Sequence, residues 1–380
     1  MSNNLSDLAA EFPVNDECMY LNHAAVAPWP ERARQAVMDF AAQNTALGAS
    51  HYPQWTATEQ QLKRNLEALI DAPQGCVALV KNTSEALSFV AAGITWQAGD
   101  VVVISDQEFP SNRIVWEALS RHGVRVIQVS LPWDDPEAEL LAAIAQKPRL
   151  LSVSAVQYAS GLTLDLVRLG EACRANGVLF CVDAIQAVGA LPFSVRAIQA
   201  DFVMADGHKW LLGPEGLGFF YVRPQVMDQL TLVEYGWHMV EDIGNYDRPD
   251  WQPATDARRF ECGSPNMLAA AALNASTGLL LETGMEAVAT RLVSNVLYLR
   301  ELLADKGATF LNPLLDRRPS GILTFHFIGK DTAGLYRMLM AAGIICAHRG
   351  GGIRFSPHFH TTTEVLNDSV DALEFMLDSL

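Results

Sequence analysis

Seven short apolar runs separated by helix-length segments constrain this chain more than any other feature. The runs lie at residues 76–80, 101–104, 124–129, 150–153, 178–182, 202–204 and 217–222, and most are joined by segments such as 84–93, 112–120, 136–146 and 165–175. A strand that is apolar at consecutive positions is buried on both faces, and intervening helices supply the cover. The pattern predicts an α/β domain on a mostly parallel sheet of seven strands sandwiched by helices. Ligands on such sheets bind beyond the carboxyl ends of the strands. Chemistry is therefore expected in the residues that follow each run.

Composition sets the outer bounds. The 380 residues, half of them hydrophobic, suffice for one large and one smaller domain with a sizeable core. Net charge is −16 and the Lys and Arg residues are scattered singly, so no basic stripe offers itself to nucleic acid. The polar first residues argue against a signal or transit peptide. The longest uncharged run, 262–281, carries Ser, Asn and Thr and reads as a turn and a buried helix, not a membrane span. Cysteines stand at 18, 76, 173, 181, 262 and 346 without a Cys-x-x-Cys pair, as expected for reduced thiols in a cytoplasmic protein. Only His358 and His360 share a ligand-like spacing, which reads as loop chemistry; no metal is expected.

The strand ends carry the candidates. After the first run, Thr83 and Ser84 stand at a helix start, where a hydroxyl either caps the helix or binds a phosphate. After the second, Phe109 precedes a turn; it is either a loop hydrophobe or a ring that stacks on a flat ligand. Asp183, three residues before Gln186, directly follows the fifth run. A carboxylate there is costly to bury unless a cation faces it, and the alternative is a helix cap. After the sixth run, Gly207 leads to His208 and Lys209. A lysine at a strand end can be desolvated, which lowers its pKa and frees the amine for an aldehyde. The tripeptide alone fits a surface lysine equally well. Ser264 offers one more hydroxyl near a helix start. A lysine for a Schiff base, an aspartate for a pyridinium nitrogen, an aromatic for a ring face and hydroxyls for a phosphate together describe a pyridoxal 5'-phosphate site. A nicotinamide dehydrogenase is not supported, since no Gly-x-Gly-x-x-Gly follows the first run.

On these residues, and from Tyr20–Ala25 through Thr361–Glu364, the chain resembles the class V aminotransferase family of fold-type I pyridoxal-phosphate enzymes. That family includes cysteine desulfurases, kynureninases and isopenicillin-N-epimerase-like proteins. The resemblance implies Lys209 as the Schiff-base lysine, Asp183 as the partner of the ring nitrogen and Gln186 as the partner of the phenolate oxygen. It places Thr83, Ser84 and His208 at the phosphate and ring edge and Phe109 on the ring face. Ser264 matches a hydroxyl that reaches the phosphate of a neighbouring subunit, which implies a homodimer with shared active sites. Arg354 resembles the arginine that holds a substrate α-carboxylate, for which a bidentate guanidinium is suited. Asn22, His23 and Gln157 would line the substrate side, with Tyr158 beside them. An N-terminal arm (1–20), a large cofactor-binding domain (21–275) and a small α+β domain (276–380) are expected.

Two departures from the family pattern matter. Asp206 stands where relatives carry a small or hydroxyl residue, and is expected to point away from the phosphate. The loop 348–352 lacks the cysteine of desulfurases, and Cys346 reads as buried. The expected activity is aminotransferase or C–S/β-lyase chemistry at Cα of a small α-amino acid. An epimerase, or a cofactor-binding protein without turnover, is the alternative. Trp237 and His238 are expected to shape the pocket or a dimer contact.

Overall fold

The computed structural model describes residues 5–377; the first four residues of the expected arm and the expected helix end at Asp378 lie outside them. The first strand, β1 (Met19–Tyr20), is followed by seven that form one sheet: β2 (Val77–Val80), β3 (Val101–Ser105), β4 (Arg125–Val129), β5 (Leu150–Ser154), β6 (Leu179–Asp183), β7 (Phe202–Asp206) and β8 (Gly218–Val222). Their spatial order is β2-β8-β7-β6-β5-β3-β4. All seven predicted strands are found, within a residue or two at their ends. The exception to burial is β4. It is an edge strand, and Arg125 and Gln128 face solvent there.

One antiparallel strand brings its first residue to the end of the sheet where several other strands finish. β8 runs against both β2 and β7, whereas the remaining pairs are parallel. Its first residue, Gly218, stands opposite Val80 at the end of β2 and opposite Asp206 at the end of β7. Asp183, ending β6, is level with Met204 of β7. The segments carrying Thr83, Asp183 and Lys209 therefore leave the sheet at one edge.

The C-terminal part holds β9 (Thr309–Phe310), β10 (Leu323–His326), β11 (Ile344–Ile345), β12 (Ala347–Arg349) and β13 (Gly352–Phe355). Four of these make an antiparallel sheet in the order β12-β13-β10-β9. The single strand expected over 344–347 is divided at Cys346. Its first half pairs in parallel with β1, and its second half enters the small sheet. The described part of the expected arm packs on the C-terminal part of the chain. Phe12 is buried and stacks on the His360 ring at 3.7 Å. Helices Glu31–Leu47 and Tyr52–Leu69 pack on Met267–Thr283, the buried helix expected within 262–281. No helix among the described residues is long and apolar enough to cross a membrane.

Gly189, in the turn after β6, fixes how closely that turn approaches the lysine loop. Its φ is +92°, and a Cβ there would lie 2.3 Å from the Trp210 carbonyl oxygen. A side chain at this position adds left-handed strain to a backbone clash, together about 3 kcal/mol. Gly189→Ala should lower the thermal unfolding midpoint by about 5 °C or more, read by circular dichroism; an unchanged midpoint would contradict this packing.

Candidate active site

A cavity of about 260 Å³ opens at the sheet edge where these segments meet, and Lys209 stands in its wall with Asp183 and Arg354. Backbone bonds position the lysine. The Gly207 N–H donates to the Leu217 carbonyl and the Gly213 N–H to that of Gly207. The turn beyond Lys209 closes through the Leu212 N–H, 3.0 Å from the Lys209 carbonyl, and forces Leu212 to φ +60°. Such strain in a buried non-glycine residue is retained where the surroundings over-determine it, commonly beside a functional group. Burial pushes the Lys209 pKa down, against the pull of Asp183, and the Arg354 charge adds to the fall. Burial likewise pushes Asp183 up, opposed by the Ile185 N–H and by Lys209. No helix follows Asp183. It accepts the Ile185 N–H at 3.1 Å within a turn, so capping is not its role.

Around this pair the walls divide by chemistry. Phe109 lies with its ring centroid 5.8 Å from the Lys209 Nζ and meets Tyr158 edge-on. Beneath it the buried Glu108 accepts from Ser105 Oγ at 2.6 Å, Asn112 Nδ2 at 2.8 Å, Ser154 Oγ at 2.6 Å and Gln157 Nε2 at 3.2 Å. Gln186 accepts from Trp210 Nε1 at 2.8 Å and donates to the Ala24 carbonyl at 3.0 Å. The indole N–H can only donate, so it fixes the amide orientation and leaves one Gln186 N–H uncommitted at the cavity.

The helix Thr83–Gly93 is capped by Asn82, whose side chain accepts the Glu85 N–H at 2.9 Å. Thr83 is therefore not needed as a cap, and its buried hydroxyl has no partner. Ser84 Oγ lies 2.8 Å from Ser111 Oγ on the same wall. His208 is held neutral by burial, its pKa lowered to about 4. Arg354, on β13, donates Nη1 to the Tyr158 carbonyl at 2.7 Å, while its buried Nε has no partner. Arg349 joins it in the wall. The sequence showed Arg349 only as a loop residue, and no spacing marks it.

Buried polar atoms without protein partners cluster here: Thr83 Oγ1, Asp206 Oδ1, His208 Nδ1 and Arg354 Nε. Buried polar groups are nearly always paired, so their convergence marks a site built for a polar ligand. A helix start with a spare hydroxyl suits a phosphate, and the desolvated lysine and buried aspartate suit an aldehyde-bearing pyridine ring. These residues fit pyridoxal phosphate. Asp206 is the exception on charge. Against expectation it lines the cavity with Thr83, and His208 Nδ1 lies 3.6 Å from its carboxylate.

Residues 19–364 match the aminotransferase class-V family model. The chain belongs to that family. It is similar to an isopenicillin N epimerase from Streptomyces clavuligerus, 30% identical over 93% of this chain and 94% of the relative. A probable cysteine desulfurase from Methanothermobacter thermautotrophicus is 27% identical over 97% of each chain. Among solved structures, a cystine C–S lyase in complex with its product cysteine persulfide superposes with a TM-score of 0.87. It is 22% identical and covers 96% of this chain and 99% of that one, which shows a shared fold.

Several expected positions in this class-V chain lie elsewhere. Gln157 is fully buried in the Glu108 network and does not line the cavity; Tyr158 does. Asn22 bridges to Ser356, and its neighbours Ala24 and Ala25 face the cavity instead. Ser264 sits beside Lys81 and Glu85, away from this chain's own lysine. Trp237 lines a separate groove of about 630 Å³ with Tyr246 and Trp251. His238 is buried beside Glu59 and Glu261. Those two carboxylates share the Lys63 ammonium at 3.2 and 2.7 Å, which supplies their counter-charge.

His23 also turns away from the cavity. Its Nδ1 lies 2.9 Å from the Ser356 carbonyl and its Nε2 3.0 Å from His360 Nε2, while His358 Nε2 is 3.2 Å from the Trp210 carbonyl. Burial lowers the His23 pKa to about 4 and those of His358 and His360 well below the ordinary value. Below pH 6.5 the unfolded chain therefore binds more protons at these rings, so their contribution is complete above 6.5 and is lost as pH falls towards 4. Glu67, Asp183, Asp206 and Glu261, raised by burial, act in the opposite sense but are outnumbered by His23, His208, His238, His358 and His360. The unfolding midpoint should be lower at about pH 5 than at about pH 7.5. Equal midpoints in a pH series of thermal melts would count against neutral burial.

Proposed function

We propose that this chain is a pyridoxal-phosphate-dependent enzyme acting at Cα of a small α-amino acid, of the aminotransferase or C–S/β-lyase type. The observation that carries the reading is the convergence of Lys209, Asp183 and Arg354 on one cavity. When bound, pyridoxal phosphate supplies an electron sink for the bond that breaks at Cα. Lys209, its amine favoured by desolvation, is the base for the Cα proton. Asp183 holds a carboxylate at the end of β6, where it favours a protonated ring nitrogen. Phe109 covers one ring face, Gln186 offers an N–H to the ring oxygen, and Thr83 with Ser84 receives the phosphate. Arg354 and Arg349 draw the substrate carboxylate to the opposite wall. Burial lowers the Arg354 pKa to about 10, which leaves its guanidinium charged at neutral pH.

The cysteines bear on the reaction type. None lines the cavity among the described residues, and burial pushes the Cys346 thiol up to about 12. A thiolate is the nucleophile in persulfide chemistry, so Cys346 is poorly suited to accept sulfur. A lyase that releases its leaving group to solvent, or an aminotransferase, fits these walls. Likeness to isopenicillin N epimerase supports reprotonation at the opposite face of Cα as a second reading. A homodimer with shared sites is part of the proposal, supported by Ser264 lying apart from its own chain's cavity. So are a cytoplasmic location and the division into 1–20, 21–275 and 276–380.

Lys209→Ala should preserve the circular dichroism spectrum and reduce turnover by about a hundredfold or more; normal turnover sinks the assignment. Arg354→Ala should weaken substrate binding by about 1.5–3 kcal/mol, the worth of a charge-assisted pair, and unchanged apparent affinity refutes its role. The reaction itself is decided by adding amino acids without a keto-acid acceptor. Conversion of the cofactor to its amine form marks an aminotransferase. Release of a keto acid with the aldehyde form retained marks a lyase, and loss of optical activity alone marks an epimerase. No spectral response to any amino acid refutes turnover.

A further inference from the structure

Asp206 carries a further inference, which rests on the pyridoxal-phosphate reading above. It ends β7 opposite Gly218, where an added Cβ would come within 3.0 Å of Asp206 Oδ1. The glycine leaves room for the carboxyl group to lie towards the start of the Thr83–Gly93 helix, which lines the same cavity and whose Thr83 N–H offsets part of the effect of burial on it. The residue is 8% exposed, and both its Oδ1 and the Thr83 hydroxyl lack partners. A carboxylate thus lies at the helix start that suits a phosphate.

Two anions at one helix end repel strongly in a buried site, and one of them relieves the repulsion by taking a proton. The neighbouring groups do not neutralise both charges. Lys209 is the one cation bearing on Asp206 from its own loop, and its amine is committed to the cofactor. His208, 3.6 Å away, is neutral, and Glu215 in the next loop adds negative charge. From β6, Asp183 contributes a further carboxyl. The helix start offers backbone N–H groups, which a phosphate would share.

We propose that Asp206 is protonated whenever the cofactor phosphate is held at the Thr83 helix start, donating its O–H to a phosphate oxygen, so that cofactor uptake draws one proton from solvent. A carboxylic acid kept neutral by its surroundings is an established kind of hydrogen-bond donor. The free protein is already biased that way, because burial raises the Asp206 carboxyl to about 6. Above that pH the complex holds one proton more than the free protein, so affinity falls about tenfold per pH unit through this group.

The test compares the wild-type apoprotein with Asp206→Asn, a neutral isostere, and with Asp206→Ser. Each is titrated with pyridoxal phosphate from about pH 6 to 8.5, by absorbance and by calorimetry in buffers of different ionisation enthalpy. Lys209 and the phosphate titrate alike in all three, so differences isolate Asp206. The wild type should take up about one more proton than either variant near pH 8. The ratio of wild-type to variant dissociation constants should rise about tenfold per pH unit above about pH 6. A flat ratio and equal proton counts, with the cofactor still reducible onto Lys209 by borohydride, overturn this proposal and leave the functional reading intact. Wild-type protein that takes up no pyridoxal phosphate at any pH overturns both.

Discussion

Everything at the candidate site depends on burying Lys209 and Asp183 together. A lone ammonium or carboxylate taken out of water is penalised heavily, and each relieves the other while both remain desolvated. The result is a lysine whose amine is available near neutral pH and an aspartate ready to face a cationic ring nitrogen. Neither property belongs to the residue types; both come from where β6 and β7 end. That placement needs the seven-stranded sheet, and the sheet needs its helical cover on both faces.

The antiparallel β8 is the device that closes the arrangement. Had every strand been parallel, the residues beginning one strand would lie at the sheet edge opposite those ending another. Because β8 runs backwards, its first residue, Gly218, meets both Val80 and Asp206 at the end where β2 and β7, which run the same way, deliver the Thr83–Gly93 helix start and the lysine. The small sheet is held to the same edge by buried contacts. Trp210 is fully buried against Gly321, where an added Cβ would lie 2.3 Å from the indole, and His358 meets its carbonyl. Arg354 is then anchored to the Tyr158 carbonyl of the large sheet's loop. The substrate wall and the cofactor wall come from different parts of the chain but share hydrogen bonds.

The sheet was legible because fully buried strands leave an unbroken apolar signal, and the cavity residues Thr83, Phe109, Asp183 and Lys209 were legible because strand ends are where such folds bind ligands. What the sequence hid was direction and distance. Nothing in residues 217–222 says that the strand runs antiparallel, and nothing in 344–347 says that the run serves two partners. His23 and Gln157 are polar residues beside strand or loop ends, the same signal that pointed to Asp183, which does line the cavity. Their outcome was set by three-dimensional neighbours: Ser356 and His360 for one, Glu108 for the other. Glu108 itself went unread, since a carboxylate one residue before an aromatic looks like loop until five or more donors are seen around it. The N-terminal helices are short, and their role becomes visible where Phe12 meets His360, Asn15 donates to the His360 carbonyl and Glu11 pairs with Arg32.

The same reasoning separates what the class-V framework determines from what it leaves free. In the proposed reading, proton removal from Cα would fall to Lys209, with Arg354 holding the substrate carboxylate and bound pyridoxal phosphate supplying the electron sink. Which reaction follows would be set by the groups nearby that can deliver a proton or let a leaving group depart. On the Phe109 side the wall is aromatic and backed by the buried Glu108 network, whose carboxylate accepts from Ser105, Asn112, Ser154 and Gln157. On the other side, His208 is neutral, and Asp206 is the carboxyl whose protonation the cofactor itself would govern. In the proposed reading Lys209 would return the proton in the aminotransferase and lyase branches, which divide on whether the substrate carries a group able to leave from Cβ, whereas epimerisation would need a donor on the opposite face of Cα.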